Sequence, residues 1–433
     1  MHFQSTRNPK DRTTLADAMA RGLAPDSGLY VPNSLPGIKT AGFPANAALA
    51  EIAGTVLEPF FAGDSLAKSL VEIATEAYDF PAPLTPLRGG REPLEVLELF
   101  HGPTAAFKDF GARFLAASLS HLQSSAQSTT IVVATSGDTG SAVAAAFHGR
   151  PGFEVVILFP RGRVSPRQEQ QLTCWGGNVR SFSIDGSFDD CQRLAKAALT
   201  DPQLREFGKI SSANSINIGR LLPQIAYYAA ASLDVARRTE GPASFIVPSG
   251  NLGNAVACIW AREMGLPIAE IVLAHNANRT VPDFLESGKW SPRPSVVTLA
   301  SAMDVGDPSN AERLGTLMPD PQTWGNRLAA VSISDDEIRA RIRTDYSGYG
   351  RVWCPHTAVA AEAYMQLPVE LRRGHHWVLV ATAHPAKFSE IVEPLIGGEV
   401  AIPPALAALL SLPRQVTQID AEFATLKKSL LEK

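Results

Sequence analysis

Repeated units of a short apolar run, a turn rich in glycine or serine, and a helical pattern constrain the fold of this chain most. In the clearest unit, the strand-like run 131–134 leads through TSGDTG (135–140) into the helical pattern 141–147. A second unit joins the run 245–247 to the helical pattern that follows PSGNLGN (248–254). Because buried parallel strands alternate with covering helices in this way, the pattern predicts an α/β fold with mostly parallel sheets.

The composition favours a globular protein that acts on a small molecule. Of 433 residues, 39 are Lys or Arg and 43 are Asp or Glu, which gives a net charge of −4. This weak acidity, without a dense basic run, argues against a nucleic acid or an anionic membrane as the main partner. The four cysteines lack the spacing of a zinc site, so no metal is expected. With no apolar signal sequence and no run that could span a membrane, we expect a cytoplasmic protein.

The segment HGPTAAFKDF (101–110) puts a lysine in unusual surroundings. Lys108 lies between Phe107 and Phe110, whereas most lysines lie on solvated surfaces. Apolar surroundings lower the pKa of a lysine, which can then act as an imine-forming nucleophile or a proton shuttle. The alternative is a lysine with a buried apolar stem, whose charge pairs with Asp109.

Three loops have the composition of anion-binding sites. The backbone N–H groups of PSGNLGN (248–254) can converge on a phosphate at a helix N-terminus, although such a turn can also be a simple tight connection. The hydroxyls of SGDTG (136–140) suit a carboxylate, so Asp138 either caps the helix or contacts a donor on a cofactor. The segment SANSINIGR (212–220) forms either a third anion site around Arg220 or a capped helix start with that arginine in solvent.

A further candidate follows the strand-like run 377–381, in the segment ATAHPAK (381–387). Ligands of open α/β sheets bind at the carboxyl ends of strands, and Thr382 is placed there to hydrogen-bond a ring nitrogen. His384 and Lys387 are interpreted as loop structure rather than as catalysts.

Read together, these motifs resemble the threonine synthase family, within the fold type II enzymes that depend on pyridoxal phosphate (PLP). The N-terminal segment LADAMARGLAPDSGLYVP (15–32) is similar to the opening of that family. The other segments that carry the resemblance are HGPTAAFKDFGARFL (101–115), TSGDTGSA (135–142), PRGRVSPRQEQQLT (160–173), DGSFDDC (185–191), SANSINIGRLLPQIAYY (212–228), PSGNLGNA (248–255), SAMDVGDPSN (301–310), PHTAVAAEA (355–363) and ATAHPAKF (381–388).

The resemblance implies two open, mostly parallel α/β sheet domains with an additional N-terminal domain of helices and loops. The N-terminal cap is expected over residues 1–85. The large PLP-binding domain is expected over 86–110 and 206–433, and the small α/β domain over 111–205.

The resemblance also implies roles for individual residues. Lys108 forms the Schiff base with PLP, and Thr382 faces the pyridine nitrogen. Asp138 lies near the ring hydroxyl of the cofactor, where many fold type II relatives carry asparagine. The loop implied to hold the cofactor phosphate consists of Gly250, Asn251, Leu252, Gly253 and Asn254. The residues implied to bind the substrate carboxylate are Ser136, Gly137 and Thr139, and those implied to bind its phosphate are Ser215, Asn217 and Arg220.

The implied reaction converts O-phospho-L-homoserine and water to L-threonine and phosphate, with Lys108 moving the protons. One alternative is a degradative PLP-dependent phospho-lyase that releases 2-oxobutanoate, ammonia and phosphate. Another is a catalytically silent ligand-binding homologue, against which the intact Lys108 and Thr382 count. A monomer or a homodimer is expected.

Overall fold

The computed structural model of this chain describes residues 1–87, 94–123, 128–320 and 323–432. Within these ranges the polypeptide forms one small antiparallel sheet and two larger, mostly parallel sheets, with helices packed against them. Residues 88–93 of the expected range 86–110 lie outside the described residues.

The larger of the two parallel sheets has six strands, and only its last strand runs antiparallel to its neighbour. Its strands, in spatial order, are Ala329–Ser332, Ile268–His275, Ala243–Pro248, His376–Ala381, Leu94–Glu98 and Leu84–Pro86. Every residue of the inner strand Ala243–Pro248 is buried, as expected for a parallel strand covered by helices on both faces. Its carboxyl end leads directly into the loop 248–254 that the sequence singled out.

The second parallel sheet has five strands. They are, in spatial order, Thr417–Asp420, Val179–Asp185, Phe153–Pro160, Thr129–Ala134 and Lys209–Ser212. The two edge strands lie in the range expected for the large domain, and they pair with this five-stranded sheet. Each is a short strand whose isoleucine, Ile210 or Ile419, packs onto the apolar cluster of this sheet, and that burial attaches the strands here.

The N-terminal cap contains a sheet in addition to the expected helices and loops. Strands Phe3–Ser5, Arg12–Thr13 and Tyr30–Pro32 pair antiparallel. Strands of two or three residues are too short to show an alternating hydrophobic pattern, so this sheet could not be predicted from the sequence. The cap helices are Leu15–Arg21, Leu49–Phe61 and Leu70–Ala77.

Helices connect the strands and cover both parallel sheets. They are Lys108–Leu122, Asp138–Phe147, Pro166–Thr173, Phe188–Thr200, Pro202–Phe207, Ile218–Leu221, Ile225–Thr239, Gly253–Glu263, Thr280–Ser287, Ala311–Leu317, Asp335–Tyr349, Pro355–Gln366, Val369–Gly374, Ser389–Ile396, Pro404–Leu410 and Phe423–Leu431. Ser165 caps helix Pro166–Thr173, because its hydroxyl accepts a hydrogen bond from the backbone N–H of Gln168.

Helix Lys108–Leu122 joins the parts of the fold. It packs against the cap helix Leu70–Ala77, against Asp138–Phe147 beside the five-stranded sheet, and against Ile218–Leu221. The helix therefore crosses the expected boundary between residues 110 and 111, because a continuous helix occupies that point. The helix is therefore packed against three neighbouring helices.

In the described part of the chain, no helix combines the length and apolar character needed to cross a membrane. The same residues contain no group of three His, Cys, Asp or Glu side chains that could hold a metal ion. All four cysteines are buried and unpaired.

Candidate active site

Two adjoining cavities lie where the carboxyl ends of the parallel strands meet the cap. The outer cavity has a volume of about 830 Å³, and its wall includes Leu29 of the cap, Thr135 after the five-stranded sheet and Pro308. The inner cavity has a volume of about 60 Å³ and is lined by residues that include the loop 250–254. The two cavities share the lining residues Lys108, Ser215, Asn251 and Ala302, so we treat them as one site.

Lys108 lies at the junction of the two cavities, as the first residue of helix Lys108–Leu122. Its Nζ lies 4.7 Å from the centre of the Phe107 ring. Burial, and then the nearby positive charge of Arg220, lowers the pKa of Lys108 to about 8. The alternative of a pair with Asp109 is wrong, because that carboxylate accepts hydrogen bonds from the N–H and hydroxyl of Thr104, at 2.8 and 2.7 Å.

The loop after strand Ala243–Pro248 forms the floor of the inner cavity. Leu252 has a φ of 62°, a left-handed conformation that leucine rarely adopts, directly before helix Gly253–Glu263 begins. A Cβ atom at Gly250 would lie 2.7 Å from the Cα of Met303, so only glycine fits that approach. The loop thus leads into a helix N-terminus in the geometry that binds a phosphate group.

Asn254 is oriented by two tyrosines behind this loop. Its Oδ1 accepts hydrogen bonds from the hydroxyls of Tyr227 and Tyr228, at 2.5 and 2.8 Å. The Nδ2 of Asn254 is buried and has no partner in the described chain, and the residue lines the inner cavity. The two tyrosines therefore fix the orientation of the amide, and its Nδ2 is left as a donor without a partner in the described chain.

Asp138 lines the inner cavity from the other side and belongs to a buried ion pair. Its Oδ1 accepts hydrogen bonds from Nζ of Lys387 and Nε2 of Gln168, both at 2.9 Å. Burial alone would raise the pKa of Asp138, but Lys387 and His356 outweigh that effect, and the pKa lies below its ordinary value. The interpretation of Lys387 as loop structure is thus corrected: it is fully buried and holds Asp138 as a carboxylate.

The loop SGDTG (136–140) faces the outer cavity through Ser136 and Thr139. Gly137 has a φ of 136°, and a Cβ atom there would lie 2.5 Å from Nε2 of Gln168. Its role is therefore to shape the loop, while the two hydroxyls are the groups available to a ligand. The helix that begins at Asp138 adds the positive end of its dipole to this side of the cavity.

Ser215 and Arg220 of the segment 212–220 both line the inner cavity, and Ser215 also lines the outer one. The Oγ of Ser215 accepts a hydrogen bond of 2.8 Å from Nδ2 of Asn251. Arg220 is 2% exposed, so the alternative of a solvent-facing arginine is wrong. Its Nη1 donates to the carbonyl of Ala213, and its Nε is buried without a partner in the described chain.

Asn217 was expected to bind the substrate phosphate, but its polar atoms already form hydrogen bonds inside the protein. Its Nδ2 donates to the carbonyls of Met19 and Ser212, at 2.8 and 3.0 Å, and its Oδ1 accepts from the N–H of Gly219 at 2.9 Å. The side chain is fully buried and lines neither cavity. It caps the helix that carries Arg220.

Sequence reasoning missed Arg313, which supports the same segment from behind. This buried guanidinium donates to the carbonyls of Tyr30, Ser215 and Ile216, at 3.0, 3.0 and 2.6 Å. It joins the cap to the wall shared by the two cavities. An arginine in a helical pattern normally lies in solvent, so only the three-dimensional contacts identify this role.

Comparisons with known proteins agree with this geometry. A family model described as "Pyridoxal-phosphate dependent enzyme" matches residues 78–383. Models for the threonine synthase N terminus and C-terminal region match residues 2–78 and 357–429. The threonine synthase of Escherichia coli (strain K12) is 38% identical over 433 residues, covering 100% of this chain and 99% of the relative. The chain belongs to the threonine synthase family.

Other threonine synthases give the same result. The relative from Haemophilus influenzae is 38% identical over 432 residues, covering 100% of both chains. The crystal structure of the Escherichia coli threonine synthase superposes with a TM-score of 0.90 at 37% identity, covering 100% of both chains. A PLP-bound threonine synthase from Brucella melitensis also gives 0.90, at 34% identity, covering 100% of this chain and 99% of the other. The predicted fold type II class and the prediction of a PLP-dependent lyase are confirmed.

The residues that line the inner cavity have the chemistry to hold the PLP that a threonine synthase requires. The loop 250–254 provides a glycine-lined cradle at a helix N-terminus for a phosphate group. Three buried donors of the cavity have no partner in the described protein: Nε of Arg220, Nδ2 of Asn254 and Nδ1 of His356. Buried polar groups in native proteins are nearly always paired, so these donors indicate a ligand rich in acceptors.

Proposed function

We propose that this chain converts O-phospho-L-homoserine and water into L-threonine and inorganic phosphate. The observation that carries the proposal is the position of Lys108, which lines the inner and the outer cavity at once. A lysine at this junction can hold PLP on one side and reach a substrate that enters from the other.

PLP, when bound, withdraws electrons from an amino acid attached to it and makes the Cα–H bond acidic. Lys108 is the group proposed to move the protons, because its pKa of about 8 leaves part of its population deprotonated at neutral pH. It is proposed to remove one proton each from Cα and Cβ of the substrate as phosphate leaves from Cγ, and to return one proton to Cγ and one to Cα. Water adds its hydroxyl group at Cβ, and the proton that water releases goes to the departing phosphate. Thr382 is 5% exposed in the inner cavity and is the proposed neutral partner of the ring nitrogen.

Two groups of polar residues in the cavities are proposed to orient the substrate. Ser136 and Thr139 offer hydroxyls at a helix N-terminus and suit the α-carboxylate. Ser215 and Arg220 are proposed to hold the phosphate of the substrate, with Arg220 providing the only formal charge of this pair. Asn251, which donates to Ser215, is proposed to join them in place of Asn217.

The experiment is to incubate the PLP-loaded protein with O-phospho-L-homoserine in ¹⁸O-labelled water and to identify the products by mass spectrometry and NMR. The expected products are phosphate and L-threonine with the label in the β-hydroxyl group. Release of 2-oxobutanoate and ammonia instead would contradict the proposal and assign the chain to the degradative lyases. L-Homoserine without the phosphate is the control and should give no threonine.

A cytoplasmic location and a monomeric or homodimeric state stay predictions from the sequence, as do the expected domain boundaries.

A further inference from the structure

His356 lines the inner cavity. It belongs to the motif PHTAVAAEA (355–363), but neither that motif nor the proposed mechanism gave it a role. It is the second residue of helix Pro355–Gln366 and is 3% exposed. One face of its ring packs near the ring of Phe388, with the centres 4.8 Å apart. The charged groups close enough to affect its pKa are Asp138, Lys108 and Lys387.

The hydrogen bonds fix which nitrogen of His356 carries the proton. The backbone N–H of Ala302 donates to Nε2 at 3.0 Å, so Nε2 is an acceptor and has no proton of its own. Burial is the main reason that the pKa of His356 is lowered to about 4. The negative charge of Asp138 opposes this shift, and the positive charges of Lys108 and Lys387 add to it. The ring is therefore neutral at pH 7, and its single proton is on Nδ1.

This Nδ1–H has no acceptor in the described part of the chain, and the atom is buried. A buried donor without a partner costs free energy, so native proteins rarely keep one unless a ligand supplies the acceptor. Arg220 and Asn254 each add an unpaired donor to the same cavity. Three unpaired donors around one cavity indicate that a ligand supplies the missing acceptors, rather than that His356 alone happens to lack a partner.

We propose that His356 donates its Nδ1–H to an oxygen atom of bound PLP. The proposal deepens the proposed function and rests on it, because it takes PLP to be the ligand of the inner cavity. Asp138, the carboxylate on this cavity, is held as an anion by Lys387 and can only accept hydrogen bonds. His356 supplies a neutral donor beside it, as an oxygen-rich ligand requires.

Two substitutions distinguish this role from a structural one, because each keeps only one of the two hydrogen-bonding functions of the imidazole ring. His356→Gln keeps an acceptor near the position of Nε2 for the N–H of Ala302, but it removes the donor at Nδ1. His356→Asn keeps a donor near Nδ1, but it loses the contact with Ala302. The quantity to measure is the dissociation constant of PLP from the apoprotein, by equilibrium dialysis.

We expect His356→Gln to weaken PLP binding about tenfold, the usual effect of losing one hydrogen bond to a charged acceptor. His356→Asn should stay within about threefold of the unmodified protein. The reverse order, with Gln harmless and Asn damaging, would mean that His356 only supports Ala302 and would overturn the proposal.

A measurement on the unmodified protein covers the case in which a variant fails to fold. In ¹H–¹⁵N NMR spectra of the apoprotein labelled with ¹⁵N in its histidines, the signal of the Nδ1 proton of His356 should shift downfield when PLP is added. An unchanged proton shift would contradict the proposal. The outcomes remain separable from those of the proposed function. Unmodified protein that binds PLP but makes no threonine refutes the function alone, whereas normal turnover with an unshifted Nδ1 proton refutes the role of His356 alone.

Discussion

The buried ion pair between Asp138 and Lys387 supports a quantitative prediction about the apoprotein. Removing one partner of a buried pair usually costs about 3–5 kcal/mol of unfolding free energy. The Lys387→Met change should fall near the lower limit of about 3 kcal/mol, because the groups it leaves behind keep other donors. Asp138 retains its 2.9 Å hydrogen bond from Gln168, and the Thr104 carbonyl, which Lys387 also contacts, retains one of 3.1 Å from Gln171.

The assay is urea unfolding of the apoprotein for Lys387→Met, Asp138→Asn and the double variant. If the two charges stabilise each other, the double variant should lose at least about 2 kcal/mol less than the sum of the single losses. Lys428→Met is the matched control, because the Lys428 side chain pairs with Glu432 but is 75% exposed. We expect this substitution to change the free energy of unfolding by less than about 0.5 kcal/mol.

The pH dependence provides a second check on the same pair. The pKa of Asp138 in the folded protein lies below its ordinary value, so the pair contributes its full stability above that ordinary value. The contribution is lost as the pH falls through the folded pKa. The difference between the unmodified protein and Lys387→Met should therefore be largest near pH 7 and shrink toward pH 3. Additive single losses, or a difference independent of pH, would refute the ion-pair explanation.

Three further predictions concern the cofactor and the substrate. Borohydride reduction of the PLP-loaded protein should fix PLP on Lys108, and peptide mapping that finds it on the exposed Lys196 would exclude the mechanism. Gly253→Asp should weaken PLP binding measured by dialysis, because it adds a negative charge to the phosphate cradle. Gly253→Ala is its control, since a Cβ there would lie 3.6 Å from that of Ser215. Arg220→Ala should lower kcat/KM about ten- to a hundredfold, and a larger loss in PLP affinity would assign Arg220 to the cofactor phosphate instead.

The local parts of the fold could be predicted because their signals lie within a few residues. The strand predicted at 245–247 is Ala243–Pro248, and the helical pattern predicted at 141–147 lies in helix Asp138–Phe147. Both have a hydrophobic pattern bounded by turn residues or a cap, which local sequence encodes directly. The loop 136–140 is bounded by the same kind of signal.

The long-range contacts of the site could not be predicted in this way. Lys387 donates to the carbonyl of Thr104, 283 positions away, and nothing in either segment indicates the other. Asn217 is polar and lies in a loop rich in Ser and Asn, so its residue type alone suited a ligand. Its real partner, the carbonyl of Met19, is on the cap, and only the packed structure shows that the side chain is already used.

The contacts of the cap also explain why this N-terminal region belongs to the site. Asn217 binds the carbonyl of Met19, and Arg313 binds that of Tyr30 while also holding the carbonyl of Ser215. The segment proposed to bind the substrate phosphate is therefore attached to the cap at two points. Leu29 of the cap lines the outer cavity itself. The cap thus both lines the outer cavity and anchors the segment 212–220. The position of the residues proposed to bind the substrate phosphate therefore depends on the cap, although the cap carries none of the proposed catalytic groups.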